Sequence, residues 1–117
     1  MITIYQYPKC STCQKAVAEL KTLVSEVEVI DIKANPPKAE QLKQWLEHSD
    51  YSLKSFFNTS GMRYRELGLK DKVNSLSIEE AAELLATDGM LIKRPILLQD
   101  NQVLQVGYRT AYKDLGL

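Results

Sequence analysis

No stretch of this sequence is apolar over the roughly 20 residues that a membrane helix needs. Its start, Met1-Ile2-Thr3-Ile4-Tyr5, lacks the basic segment and long apolar run of a secretory signal. The expectation is a cytoplasmic protein with no membrane partner. Neither sign of charge is in excess, since 15 basic side chains face 15 acidic ones. That argues against a broad basic footprint for direct contact with nucleic acid, but not against binding a protein that itself touches DNA. Cysteine and histidine are scarce, with Cys10 and Cys13 of the first kind and His48 of the second. A zinc centre takes about four such ligands, so no metal site is expected. No internal repeat, low-complexity tract or linker interrupts the chain.

What is present is an ordinary globular balance, 44% apolar and 26% charged over 117 residues. That suits one domain, residues 1–117, able to bury a core without disulfide staples.

Met1–Tyr7 reads as a strand, with Ile2 and Ile4 alternating against Thr3 and Tyr5. Pro8 ends it, because proline cannot donate to a ladder. From Cys13 the apolar positions Cys13, Val17, Leu20 and Val24 follow one helical face, so a helix is expected from near Ser11. Val27–Ile32 is rich in β-branched residues and reads as a second strand. The resulting β-α-β unit implies two parallel strands and a right-handed crossover.

Asn35-Pro36-Pro37 breaks the chain before a helix starting near Lys38, with Ala39, Leu42, Trp45 and Leu46 inward. Residues 50–76 read as short helical pieces and turns anchored by Phe56 and Phe57 and punctuated by Gly61 and Gly68. Ser77-Ile78-Glu79-Glu80 is a capping box that opens another helix. Ile96–Leu98 and Val103–Val106 form a hairpin around Asp100-Asn101, and a last helix is expected over Thr110–Leu115. The whole is an α/β fold, a mixed sheet with an all-helical insertion at about residues 38–92.

The informative segment is Tyr7-Pro8-Lys9-Cys10-Ser11-Thr12-Cys13-Gln14-Lys15. It puts Cys10 in the turn between a strand and a helix N-terminus, where backbone N–H groups lack internal partners. Those groups and the positive end of the helix favour a thiolate, and Lys9 and Lys15 are expected to add positive potential. The same N–H groups suit an oxyanion substrate. Cys13, one turn later on the apolar face, can attack an adduct formed on Cys10. The plainer reading of Cys13 is a small buried core residue, and both stay open on the sequence alone. Arg94 precedes Pro95, where the chain is extended rather than helical. From there it either pairs with an anion or thiolate at Cys10 or is simply an exposed surface arginine.

These motifs together resemble the arsenate reductase (ArsC)/Spx family, and the match runs essentially from end to end. Its marks are the Cys-x-x-Cys opening, Asn35-Pro36-Pro37, Tyr64-Arg65-Glu66-Leu67-Gly68-Leu69, Asp88-Gly89-Met90-Leu91-Ile92-Lys93-Arg94-Pro95 and Gln105-Val106-Gly107-Tyr108. The resemblance implies a thioredoxin-like fold with a mixed four-stranded sheet and a cis Arg94–Pro95 bond facing the Cys10 turn. It implies a thiol-dependent oxidoreductase, with Cys10 as nucleophile, Cys13 as resolving thiol and Arg94 holding an anion. Lys9, Ser11, Thr12, Asn58 and Pro95 would shape the site. No resident cofactor is implied; an external thiol such as glutathione, glutaredoxin or thioredoxin would recycle the protein. The substrate would be a small oxyanion or a disulfide.

Family reductases hold arsenate with three arginines. Only Arg94 matches here, the other two places reading Phe56-Phe57-Asn58 and Val106. Cys13 stands where single-cysteine reductases carry serine, which resembles the Spx-like members. The alternative implied is a redox-sensitive transcriptional regulator that binds the C-terminal domain of the RNA polymerase α subunit.

Overall fold

The computed structural model describes all residues, Met1–Leu117. Strands β1 (Ile2–Gln6), β2 (Val27–Asp31), β3 (Ile96–Gln99) and β4 (Gln102–Val106) form one mixed sheet in the order β2-β1-β3-β4. β1 runs parallel to β2, with Ile4 opposite Val29, and antiparallel to β3, with Ile4 opposite Leu97. β3 and β4 pair antiparallel, with a register shift between Leu97 and Leu98. Both turn residues, Asp100 (φ 50°) and Asn101 (φ 68°), are left-handed. This is the turn geometry that matches the twist of a tight hairpin, and Asp and Asn tolerate it. The fold class is therefore the expected α/β sheet.

Two compact units make up the chain. The first comprises Met1–Asp31 and Arg94–Leu117, the second Ile32–Lys93. In the first, helix α1 (Ser11–Leu23) crosses from β1 to β2. Its inward face carries Cys13, Ala16 and Leu20, the i, i+3, i+7 spacing of a single stripe. Ala16 and Leu20 pack with Ile2, Ile4, Leu97 and Tyr112 in one buried cluster.

The C-terminal segment departs from the expected helix over Thr110–Leu115. It is a short 3-10 turn, Tyr112–Leu115. Its cap residue Ala111 has no side chain able to accept from the first N–H groups. Glu19 of α1 does this from a distance. Its Oε1 accepts from Tyr112 N at 2.6 Å and its Oε2 from Lys113 N at 3.3 Å. Gly116, at φ 74°, then ends the turn in a conformation that glycine adopts freely.

The second unit is helical, as expected. α2 (Ala39–His48) packs against α4 (Ile78–Ala86), burying Leu42, Trp45 and Leu46 on one side and Ala81, Ala82 and Leu85 on the other. α4 opens with the expected capping box: Ser77 Oγ accepts from Glu80 N at 3.1 Å and Glu80 Oε1 from Ser77 N at 2.9 Å. Between them lie α3 (Met62–Glu66) and three 3-10 turns at Leu53–Phe56, Leu69–Asp71 and Val73–Ser75. Phe56 and Phe57 are buried, and Phe57 meets Tyr64 edge-on at 6.1 Å. Lys93 N donates to Phe56 O and Asn58 N to Leu91 O, both at 2.8 Å, which closes this unit. No helix is long and apolar enough to cross a membrane.

Candidate active site

Strand β1 ends as the chain reaches Tyr7, and a turn closed by Cys10 N donating to Tyr7 O at 3.0 Å follows. Cys10 is then the N-cap of α1. Its backbone is extended (φ −92°, ψ 118°), and its Sγ accepts from Cys13 N at 3.3 Å. Its carbonyl accepts the first helical bond, from Gln14 N at 3.0 Å. Serine or aspartate usually fills this role; here a sulfur does. Gln14 Nε2 donates to Pro8 O at 2.8 Å and pins the turn.

The two thiols are driven apart. For Cys10, burial acts upward and is the largest single influence. The hydrogen bond from the Cys13 side chain, the Cys13 N–H, the Arg94 charge and the Thr12 N–H together outweigh it, and the thiol falls below its ordinary value. Cys13 is 0% exposed. Burial is also its largest influence and pushes it up to about 12, assisted by the hydrogen bond and charge of Cys10 and only partly opposed by the Tyr7 N–H and Arg94. The pair therefore consists of a half-buried sulfur held below the ordinary thiol value and a buried one that keeps its proton at neutral pH. Both are reduced.

Arg94 sits just before β3, the Arg94–Pro95 bond is cis, and Pro95 O accepts from Gly107 N at 2.8 Å. The guanidinium lies over the Tyr7 ring, 5.3 Å from its centroid, a cation–π contact that fixes its direction. The registers place the end of β1 beside the start of β3, since Tyr5 pairs with Ile96. Cys10, Cys13, Arg94 and Pro95 thus gather at one end of the sheet. Ser11 and Thr12 are exposed in the first turn of α1, and Lys9 and Lys15 are exposed as well. The cation that bears on Cys10 is Arg94, rather than the two lysines read from the sequence.

Asn58 belongs to the second unit, where its Nδ2 donates to Met90 O at 3.4 Å. Val106 is wholly buried at the end of β4. No group of three or more His, Cys, Asp or Glu side chains is placed to hold a metal ion.

Two features escaped the sequence reading. Tyr7 was in plain view beside Pro8, but stacking on Arg94 depends on a strand pairing 90 residues along the chain. Glu19 joins Tyr108, Tyr112 and Lys113 in the same way. Nothing local in the sequence marks it.

The comparisons agree with this geometry. The sequence profile of the ArsC family matches residues 5–113. The "Uncharacterized protein YusI" of Bacillus subtilis is 51% identical over 108 residues, 92% of this chain and 91% of that one. The "Global transcriptional regulator Spx" of Lactiplantibacillus plantarum is 31% identical, over 92% of this chain and 80% of that protein. A solved Streptococcus mutans structure, described as that of a "possible arsenate reductase", superposes with a TM-score of 0.96 at 59% identity, over 100% of this chain and 98% of that one. With its thioredoxin-like sheet and Cys-x-x-Cys helix cap, the chain belongs to the ArsC family.

Proposed function

We propose that this protein is a thiol-dependent oxidoreductase in which Cys10 is the nucleophile and Cys13 the resolving thiol. The observation that carries this is the opposite bias of two sulfurs one helical turn apart, Cys10 lowered as an N-cap and Cys13 raised by burial. A lowered, accessible thiolate attacks first. On a disulfide RSSR, Cys10 displaces one RS⁻ and becomes a mixed disulfide. Cys13 then loses its proton and attacks Cys10 Sγ, expelling the second RS⁻. The two protein thiols end as a disulfide, and RSSR ends as two thiols. An external small thiol or a redoxin returns the pair to the reduced state.

Arg94 is the one cation assigned to the thiol, and charge-assisted bonds contribute about 1.5–3 kcal/mol each. A disulfide or a singly charged adduct therefore suits the site better than a fully charged oxyanion such as arsenate. The test is to treat reduced protein with glutathione disulfide or arsenate and follow the products by mass spectrometry. Wild type should yield the Cys10–Cys13 disulfide with glutathione disulfide. Cys13→Ser should stop at a glutathione adduct on Cys10, and Cys10→Ser should yield neither. If iodoacetamide labels Cys10 no faster than a free thiol near pH 7, the reading fails.

The 31% identity to Spx favours one alternative, a redox-sensitive regulator that binds the C-terminal domain of the RNA polymerase α subunit. Pull-down of that domain by the reduced and the oxidised protein distinguishes it.

A further inference from the structure

An arginine side chain is long and rotamer-rich, so a cation that is to act at one atom has to be held in place. Tyr7 touches both parties to that arrangement. Its carbonyl accepts from Cys10 N at 3.0 Å and so closes the turn that carries the thiol. Its ring lies under the Arg94 guanidinium, with the centroid 5.3 Å from Cζ. The pairing of Tyr5 with Ile96 brings the two segments side by side, and all of these residues belong to one compact unit.

Core packing does not account for an aromatic ring at this position. Tyr7 is half-buried just beyond the end of β1 and stands outside the buried core. A leucine would cover the same place, but an aliphatic side chain has no negative π face to offer a cation. A guanidinium held by a ring face, rather than by a carboxylate, keeps its positive charge uncompensated by a neighbouring anion. That suits a cation whose task is to meet negative charge brought in by a substrate.

We propose that Tyr7 is a positioning residue that sets a preference for anionic substrates: its ring holds the Arg94 guanidinium at the Cys10 turn, so that a disulfide carrying a carboxylate close to its reacting sulfur is favoured over a neutral one. This rests on the anion-holding role of Arg94. Tyr7 itself touches no reacting atom. It acts through Arg94, and the ring face rather than the hydroxyl is the part that matters.

A matched pair of alkylating reagents reads this directly. Iodoacetate and iodoacetamide each form a carbon–sulfur bond with the Cys10 thiolate and release iodide, and they differ in that the first carries a carboxylate. A change in the amount of thiolate alters both rates alike, so their ratio at one pH isolates the attraction of the site for the anion. The rates are followed by mass spectrometry of the peptide that carries Cys10. Wild type should show a higher iodoacetate-to-iodoacetamide ratio than 2-mercaptoethanol does. Tyr7→Leu should lower that ratio by about two- to fivefold, and Tyr7→Phe, which keeps the ring face, should retain it. In an Arg94→Ala background, Tyr7→Leu should have no further effect. Arg94→Lys keeps the charge but loses the planar group that stacks, and should lower the ratio by at least about twofold even if Tyr7→Leu fails to fold. A wild-type ratio in Tyr7→Leu or in Arg94→Lys, or an equal fall in Tyr7→Phe and Tyr7→Leu, overturns the inference. A ratio unchanged by Arg94→Ala overturns instead the anion-holding role of Arg94 on which it stands.

Discussion

The raised Cys13 thiol has a thermodynamic consequence that can be worked out before any activity is measured. A group whose folded pKa is raised contributes stability that is fully present below its unfolded pKa. That contribution is lost as pH rises through the folded value. For Cys13 the window runs from 9.0 up to about 12. Within it the unfolded chain releases a proton that the native protein retains. The loss follows RT ln(1 + 10^(pH − pKa)) for the unfolded thiol, which is about 0.1 kcal/mol near pH 8 and about 1.4 kcal/mol near pH 10. Near pH 10 the result hardly depends on how far above 11 or so the native thiol lies.

Cys10 acts with the opposite sign. Its folded pKa is depressed, so its contribution is present above the unfolded value and fades as pH falls through the folded one. The comparison is therefore made in a Cys10→Ser background, with and without Cys13→Ala, by urea unfolding under a phosphine reductant. Burial, the largest influence on Cys13, survives in that background, and the tyrosine titrations cancel. Cys13→Ala should be destabilising near pH 8, and its deficit should shrink by about 1.4 kcal/mol near pH 10. A deficit that does not change with pH would falsify the picture of a buried, protonated Cys13.

Other perturbations test other parts of the structure. Arg94→Ala should raise the pH at which Cys10 alkylates and slow its labelling near pH 7 by about three- to tenfold, whereas Lys9→Ala and Lys15→Ala should change it by less than about twofold; equal effects from all three would refute the assignment of Arg94. Glu19→Ala removes the acceptor of Tyr108 Oη, Tyr112 N and Lys113 N. Partial exposure screens these bonds, so the expected loss is about 1–3 kcal/mol, read as a lower Tm. The Glu19 carboxyl is held below 4.5, chiefly by the Tyr108 hydrogen bond, so its contribution is present above 4.5 and fades as pH falls through the depressed value; in Glu19→Ala that part of the acid dependence should vanish. Gly89→Ala would drive a Cβ into the Ile32 carbonyl and should cost about 1–3 kcal/mol, seen as a reduced urea midpoint.

Most of the architecture was legible because it is written in local patterns. The β-branched run at Val27 and the alternation at Ile2 and Ile4 located two strands to within about a residue of their observed ends. Asp100-Asn101 marked the hairpin, and the Ser77–Glu80 box marked the start of α4. The C-terminal helix was misread because its outcome is decided elsewhere. The pattern at Thr110–Leu115 permits a helix, but Glu19 on α1 captures the N–H groups of Tyr112 and Lys113 and starts a 3-10 turn there instead. In the same way, lysines next to Cys10 in sequence looked like its electrostatic partners. The side chain that bears on it is Arg94, carried to it by the pairing of β1 with β3.

The site was legible for a different reason. One helical turn separates the two sulfurs, and that turn gives them different surroundings. The residue before the first turn caps free N–H groups, while the residue three places later faces the core. In the proposed reaction the same asymmetry would also order the two steps in time. Part of what holds Cys13 high is the hydrogen bond and charge of Cys10. Once Cys10 is tied up in a mixed disulfide it carries no negative charge, and that part disappears. Burial and the Tyr7 N–H remain, along with the Arg94 charge, and the last two both favour a thiolate. In the proposed reaction, capture of a substrate on Cys10 would therefore ease ionisation of Cys13, which stays protonated in the reduced pair.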